Sequence, residues 1–262
     1  MIYIHNIDPI LLSIGFIDLY WYGAMYAISF LLLDYLMKKE VYLGNSDFTI
    51  AFIDKILLIS IFTLLLGGRL GYVIFYNIDY YYLNLHKIFY IWEGGMSFHG
   101  ALLGILIGIL AISFKHRISF FKLSDFIVVF VPLGLLLGRI GNFINSELYG
   151  MPTDGSWGVI FTKVDSIPRH PSMLYEAILE GLVLFIILKN LYQQKPKAGI
   201  LTALFLIYYS FFWFLVEFVR VPDIQIGYLY GDWFTMGMLL SVPMFLIGLF
   251  IYYLSIQGKI ER

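Results

Sequence analysis

The sequence predicts an all-α fold, a polytopic helical bundle that crosses a lipid bilayer about seven times. Three observations carry that expectation. The chain of 262 residues is 60% hydrophobic and only 13% charged, with a mean hydropathy of +0.83, whereas soluble domains hold roughly a quarter charged residues. Its apolar residues run in stretches of about 20, the length a helix needs to span the hydrocarbon core. Between the stretches lie segments marked by charge, glycine and proline, where helices end.

The first stretch, residues 19–37, stops at Lys38 and Lys39. Its length and its internal Trp21, Tyr22 and Asp34 argue against a cleaved leader, so it is read as a retained span. The later spans are expected at 56–75, 98–114, 126–140, 172–188, 199–219 and 234–254. Such an odd set places Lys38, Lys39, Lys115, Arg117, Lys122, Lys189, Lys195, Lys197, Lys259 and Arg262 on one side of the membrane. Positive loops stay in the cytoplasm, so the carboxyl terminus is expected there and the amino terminus in the periplasm. The opposite side keeps Lys87, Lys163, Arg169 and the boundary residue Arg220. The tyrosine-dense segment 77–93, ending near Trp92, reads as an interfacial anchor. With no internal repeat visible, residues 1–262 are expected to form a single membrane domain with a periplasmic segment around 142–170.

Charge and cysteine content narrow the function. The net charge is −1 and no Lys/Arg patch of the kind nucleic acid needs is visible, so no nucleic-acid partner is expected. The absence of cysteine excludes disulfides, thiolate metal sites and a cysteine nucleophile within the chain; any thiol chemistry takes its thiol from a partner. The histidines lack close ligand spacing, so no metal is implied.

The informative residues are the ionisable ones in apolar surroundings, since each costs at least ~2.5 kcal/mol at bilayer depth and needs a partner or a purpose. Four clusters stand out. Gly138 to Glu147 reads GRIGNFINSE; the rigid fork of Arg139 suits a phosphate, and Asn142 and Asn145 add neutral donors. A plainer reading of the same run is an Arg139–Glu147 ion pair that only fixes packing. His99, in the glycine-rich run 94–101, is a candidate general base, or a structural hydrogen-bond donor. The run 169–176 gathers Arg169, His170, Tyr175 and Glu176 beside Ser172, which is expected to cap the helix that follows. Glu180, one turn further in, is expected to pair with a neighbour. Last come Glu217, Arg220 and Asp223, with Arg69 of the run 67–72 as a companion. All four fall toward the outer half of the membrane, as expected of a site for an anionic headgroup and not of scattered structural pairs.

On these residues the chain resembles the prolipoprotein diacylglyceryl transferases. The run 138–147 looks like that family's signature, and matches in order and at family spacing occur at 21–26, 67–72, 97–100, 169–176 and 217–223. The resemblance implies a bacterial inner-membrane enzyme that moves the diacylglyceryl group of phosphatidylglycerol onto the lipobox cysteine thiol of a preprolipoprotein. A thioether forms and glycerol phosphate leaves. Its implied partners are phosphatidylglycerol, preprolipoproteins and the surrounding membrane lipids, and no cofactor is implied. By the same resemblance Arg139 binds phosphatidylglycerol, Asn142 and Glu147 shape its pocket, and His99 is the base for the acceptor thiol, whose ordinary pKa of about 8.5 leaves little thiolate at neutral pH. Tyr22 and Glu217 follow as headgroup contacts or orienters of arginine, then Arg69, Tyr175, Glu176 and Arg220.

The chain departs from the family pattern at Trp213, where an arginine is common four residues before the glutamate matched by Glu217, and less tellingly at Met173 and Ala101. An indole cannot bind phosphate through two parallel bonds. Trp213 therefore keeps open a second reading, a catalytically weakened lipid-binding relative. A lipid or solute transporter is the third, since intramembrane charges also mark transport paths, but paired broken helices and inverted repeats are not visible.

Overall fold

The structure is a computed structural model that describes residues 2–15, 17–222 and 226–260. Asp223 and Arg262, both named above, lie outside the described residues. Helices dominate, with three small sheets among them. In chain order, strands β1 (Tyr3–His5), β2 (Ile10–Ile14) and β3 (Ile17–Tyr20) precede α1 (Trp21–Tyr42). Then come α2 (Ile50–Tyr76), the short α3 (Ile78–Leu83), α4 (Phe98–His116), α5 (Phe120–Val128) and α6 (Val131–Asn145). Strands β4 (Val159–Phe161) and β5 (Pro168–Arg169) lead into α7 (Ser172–Glu176), which passes through a π-helical turn, Ala177–Val183, into α8 (Leu184–Tyr192). The chain closes with α9 (Ile200–Val216), the strands β6 (Tyr228–Tyr230) and β7 (Phe234–Thr235), and α10 (Met236–Ile256).

Among the described residues α2, α4 and α10 are long and apolar enough to cross a membrane, and α5 with α6, bent by 46°, makes a fourth if the pair is one span. The remaining expected spans fall short for local reasons. α1 carries Asp34, Lys38, Lys39 and Glu40 in its second half, α9 has 17 residues, and the run 172–192 is divided by its π turn. The span expected at 126–140 lies across the bent pair: the helix breaks after Val128, where Pro132 in the first turn of α6 withholds a backbone donor. Leu58, Phe62, Phe75, Leu103, Ile107, Ile247 and Phe250 are exposed, apolar surface that only lipid or protein can cover favourably.

The chain divides into two compact units, Met37–Ser124 and the combination of Met1–Leu36 with Asp125–Arg262. In the first, α2 packs on α4 through glycines. A Cβ on Gly71 would stand 2.8 Å from the Cα of Gly100, and one on Gly67 equally close to the Cα of Gly104, so only hydrogen allows the two backbones this approach. One end of this unit is closed by charge: Lys38 pairs with Asp54 at 2.6 Å and Lys122 with Asp47 at 2.7 Å.

In the second unit the helices are tied by a buried carboxylate that sequence reading passed over. α9 begins at Gly199, which has no side chain to cap the helix. Asp125 of α5 supplies the cap, accepting from the backbone N–H of Gly199 at 2.7 Å, the N–H of Thr202 at 2.7 Å and the Thr202 hydroxyl at 2.5 Å. Residues 1–20 also take an unexpected part. β1 runs parallel to β4, β4 pairs antiparallel with β5, and β2 and β3 form a hairpin. His5, fully buried, meets the edge of Phe143 at 4.6 Å between ring centres and sits 3.3 Å from the Ser146 hydroxyl. Burial holds its imidazole below the usual histidine range.

Two outcomes follow. Asp125→Ala strands the Gly199 and Thr202 donors and is expected to cost roughly 2–3 kcal/mol, read as a lower thermal midpoint in detergent. For His5 the folded state resists protonation, so the unfolded state binds the extra proton and stability drops as pH falls through the ordinary histidine value toward the lower folded one. Amide exchange in β1 and β4 should therefore quicken as pH falls from about 7 to about 5, relative to intrinsic rates. That acceleration should vanish in His5→Phe.

Candidate active site

The charged residues of Asp125–Arg262 meet because two helices come unusually close. A Cβ on Gly181, in the π turn, would stand 2.5 Å from the Leu136 Cβ, so α6 lies directly on that turn. Arg139, one turn after Leu136, is thereby brought against the face that carries Glu176 and Glu180. The wider π turn rotates successive side chains by less than an α turn does, and it lets both carboxylates address one guanidinium. Arg139 Nε lies 3.1 Å from Glu176 Oε2, and its Nη2 lies 3.2 Å from Glu180 Oε2. Both carboxylates are fully buried, while the arginine side chain keeps 16% of its surface exposed. Its Nη1 meets no carboxylate or carbonyl among the described residues.

A second arginine extends the network. Arg220 Nη1 stands 3.3 Å from Glu176 Oε1 and 3.4 Å from Glu217 Oε1. Glu217 has further donors, Trp213 Nε1 at 3.1 Å and the Thr235 hydroxyl at 2.5 Å. Arg220 is placed from outside the helices: Met151 N–H donates to Val219 O at 2.8 Å, Val221 N–H to Tyr149 O at 3.3 Å, and Gly150 N–H to His170 O at 2.8 Å. The segment 149–152 thus clamps the chain on either side of Arg220 to the residues before α7.

The signature run folds around its own carboxylate. Ser146 takes a left-handed conformation that ends α6, and the chain turns back so that Glu147 accepts from Asn142 Nδ2 at 2.9 Å and Asn145 Nδ2 at 3.2 Å. The Arg139–Glu147 ion pair offered as the plainer reading is not formed; Glu147 is satisfied by the two amides, and Arg139 by Glu176 and Glu180. Tyr22 of α1 packs its ring against Gly141, where a Cβ would come within 2.9 Å of Cδ2. Its hydroxyl shares a 3.2 Å hydrogen bond with Tyr26 and lies within electrostatic reach of Glu147 and Arg139.

The run 169–176 separates into different tasks. Arg169 turns to Asp165, at 2.5 Å from Nη2 to Oδ2, and holds that carboxyl below the usual range. His170 Nδ1 lies 3.1 Å from the Tyr175 hydroxyl. Ser172 is a correction: it donates to Leu148 O at 2.7 Å and does not cap, the cap position being Pro171. A cavity of about 550 Å³ opens beside Tyr175, walled chiefly by Leu179, Leu215, Val216 and Val219 with Trp157 and His170.

Arg69 and His99 belong to the unit Met37–Ser124. Every donor of Arg69 is committed: Nε to Ile88 O at 2.8 Å, Nη1 to Gly94 O and Gly95 O at 2.5 and 3.1 Å, and Nη2 to Lys87 O and Tyr90 O at 2.6 and 3.1 Å. Five N–H groups is all a guanidinium has, so Arg69 has none left for a phosphate. His99 is exposed in the first turn of α4, whose N-cap, Ser97, accepts from Gly100 N–H at 3.2 Å. Sequence reading missed Thr235 and Tyr209, the latter an electrostatic neighbour of Arg139 and Glu180; neither carries a charge that would have drawn attention in an apolar helix.

Replacing Arg69 with lysine leaves three donors where five carbonyls must be met. Limited proteolysis should then cut within residues 84–95 at least tenfold faster than in the wild type, a loss of roughly 1.4 kcal/mol or more in local order.

A model of the prolipoprotein diacylglyceryl transferase family matches residues 9–254. Among curated proteins, one named phosphatidylglycerol–prolipoprotein diacylglyceryl transferase from Methylococcus capsulatus is 46% identical over 244 residues, 93% of each chain. The protein of that name from Bordetella parapertussis is 47% identical over 94% of this chain and 95% of its own, and the one from Geobacter sulfurreducens 43% over 97% and 98%.

Proposed function

This chain belongs to the prolipoprotein diacylglyceryl transferase family, and from that premise we propose that it transfers the diacylglyceryl group of phosphatidylglycerol to the lipobox cysteine thiol of preprolipoproteins. It is a transferase of lipoprotein biosynthesis. In the reaction the acceptor sulfur forms a bond to the terminal glyceryl carbon, the bond from that carbon to phosphate oxygen breaks, and glycerol phosphate departs with the electron pair. The thiol proton goes to a base. Negative charge grows on phosphate oxygens as the bond breaks, and a guanidinium aimed at them lowers the barrier.

The observation that carries this reading is the contrast among arginines. Arg139 is anchored by two carboxylates through Nε and Nη2, and among the described residues its Nη1 meets no carboxylate or carbonyl, whereas Arg69 has spent every donor. Arg139 is therefore the phosphate-binding group, with Asn142 and Glu147 shaping the headgroup pocket and Tyr22 contacting the same ligand. Glu176, Glu217 and Arg220 orient and balance it, and Tyr175 lies at the apolar cavity beside them. His99 is the base for the acceptor thiol. Arg69, its donors spent on backbone carbonyls, orders residues 84–95 of its own unit.

The same reading extends to placement. The chain is a single domain of the bacterial inner membrane, spanning it about seven times with its amino terminus in the periplasm, its carboxyl terminus in the cytoplasm and the segment around 142–170 outside. Charge asymmetry and the identity of the lipid donor support this. A second reading, a lipid-binding relative of low activity, is favoured by one observation: Trp213 gives Glu217 a neutral N–H where a cation is usual.

Purified protein given labelled phosphatidylglycerol and a lipobox peptide is expected to transfer the label. Arg139→Ala should lower the rate about 10²–10³-fold, with the thermal midpoint reported alongside to separate catalysis from folding. An inactive wild type that still binds the lipid, and gains activity on Trp213→Arg, would replace the enzyme with the lipid-binding reading.

A further inference from the structure

The network around Arg139 does not balance. Among the described residues it joins three carboxylates, Glu176, Glu180 and Glu217, to two guanidiniums, Arg139 and Arg220. Trp213, at the position where a third cation would reach Glu217, contributes an N–H and no charge. With every group ionised the cluster would hold one net negative charge among apolar helices, where an unpaired ion is among the costliest things a fold can bury.

The three carboxylates are not equally provided for. Glu217 accepts from Trp213, Thr235 and Arg220; Glu176 accepts from Arg220 at Oε1 and keeps Oε2 at ion-pair distance from Arg139, without a hydrogen bond there, so it is flanked by both guanidiniums. Among the described residues Glu180 has one ion-pair partner, Arg139. Its Oε2 meets Arg139, while its Oε1 is buried with no hydrogen-bond donor and the side chain has no exposed surface. A carboxylate anion accepts at both oxygens, and leaving one bare wastes the solvation that water would have supplied. The groups facing it are Arg139 from α6, Glu176 from α7, and Tyr209 and Arg220 from α9 and just beyond it. On α8, Lys189 directs its ammonium to the rings of Phe130 and Tyr192.

We propose that the network holds one proton, on Glu180, and that this proton leaves Arg139 able to take an anionic phosphate. Two carboxylates then balance two guanidiniums, and the neutral acid still accepts from Arg139 through Oε2. Were Glu180 ionised, Arg139 would sit between two anions that neutralise it, and an incoming phosphate would meet a cluster already negative. Lipid binding and proton retention are thus linked: the protonated protein binds the anionic headgroup, and raising the pH until the proton leaves weakens that binding. Glu180 acts here as a positioning residue, through Arg139. The second half of the proposal rests on the phospholipid reading above; the first does not.

The test uses the full chain in detergent. Infrared difference spectra of wild type against Glu180→Gln should show a protonated-carboxyl carbonyl band, shifted in deuterium oxide, that the variant lacks. Trp213→Arg, which retains all three carboxylates and supplies the absent charge, should weaken the same band; it keeps the test decisive if Glu180→Gln does not fold. Binding of a fluorescent phosphatidylglycerol in mixed micelles should weaken toward tenfold per pH unit as the proton is lost, and Glu180→Gln should flatten that dependence. No Glu180-dependent band overturns the proposal, and an equal pH slope in wild type and Glu180→Gln overturns the linkage to lipid. Neither readout needs turnover, so a protein that shows the band and the slope but transfers nothing would defeat the transferase reading alone.

Discussion

A charged guanidinium lodged among apolar helices is the constraint on which this arrangement depends. Arg139 cannot remain ionised there without carboxylates at hydrogen-bond distance, and Glu176 and Glu180 are fully buried to serve it. Much of the local geometry follows from that need. α6 must lie close enough for the guanidinium to reach, which requires glycine at position 181. The helix facing it must turn two carboxylates toward one point, which the π turn at Ala177–Val183 does at the expense of regular hydrogen bonding. Polar residues that look isolated along the chain are thus partners across a helix contact.

The arginines show how one residue type takes different roles by what surrounds it. Carbonyl oxygens exhaust Arg69, which works as the hub of a folded surface segment. An acidic neighbour and a backbone carbonyl hold Arg169 against the face of Tyr149. Arg139 is anchored by carboxylates through Nε and Nη2, and its Nη1 meets no carboxylate or carbonyl among the described residues, a combination suited to a phosphate. Arg220 links its carboxylate to that of Glu217. Trp213 fits this scheme as a donor that satisfies Glu217 without altering the charge.

The irregular segment between α6 and α7 is part of the same construction. Its backbone bonds to Val219, Val221 and His170 fix the chain on both sides of Arg220. Its core of Val159, Phe161 and Met173, with Phe143 and Tyr149 packed on it, is completed by β1 from the far end of the sequence. A loop of this length could not hold an arginine in register by itself, since ordering it costs about 1–2 kcal/mol per residue; the small sheet and its aromatic cluster offset that cost.

The sequence by itself determined the class of the molecule, its helical character, the family it resembles and most residues of the candidate site, because those rest on local signals: runs of apolar residues, and charges where charge is expensive. It named Arg139, Glu176, Glu217 and Arg220, and it marked Trp213 as the departure that matters. It did not reveal that Arg139 pairs with Glu180 instead of Glu147, that Arg69 has no donor to spare, that Ser172 reaches Leu148, or that Asp125 caps a helix 74 residues away. Nor did it show the role of residues 1–20. Those facts belong to tertiary structure for one reason: a polar group in an apolar interior takes whichever partner the packing of helices brings within about 3 Å, and that packing is decided by contacts between residues far apart in the chain.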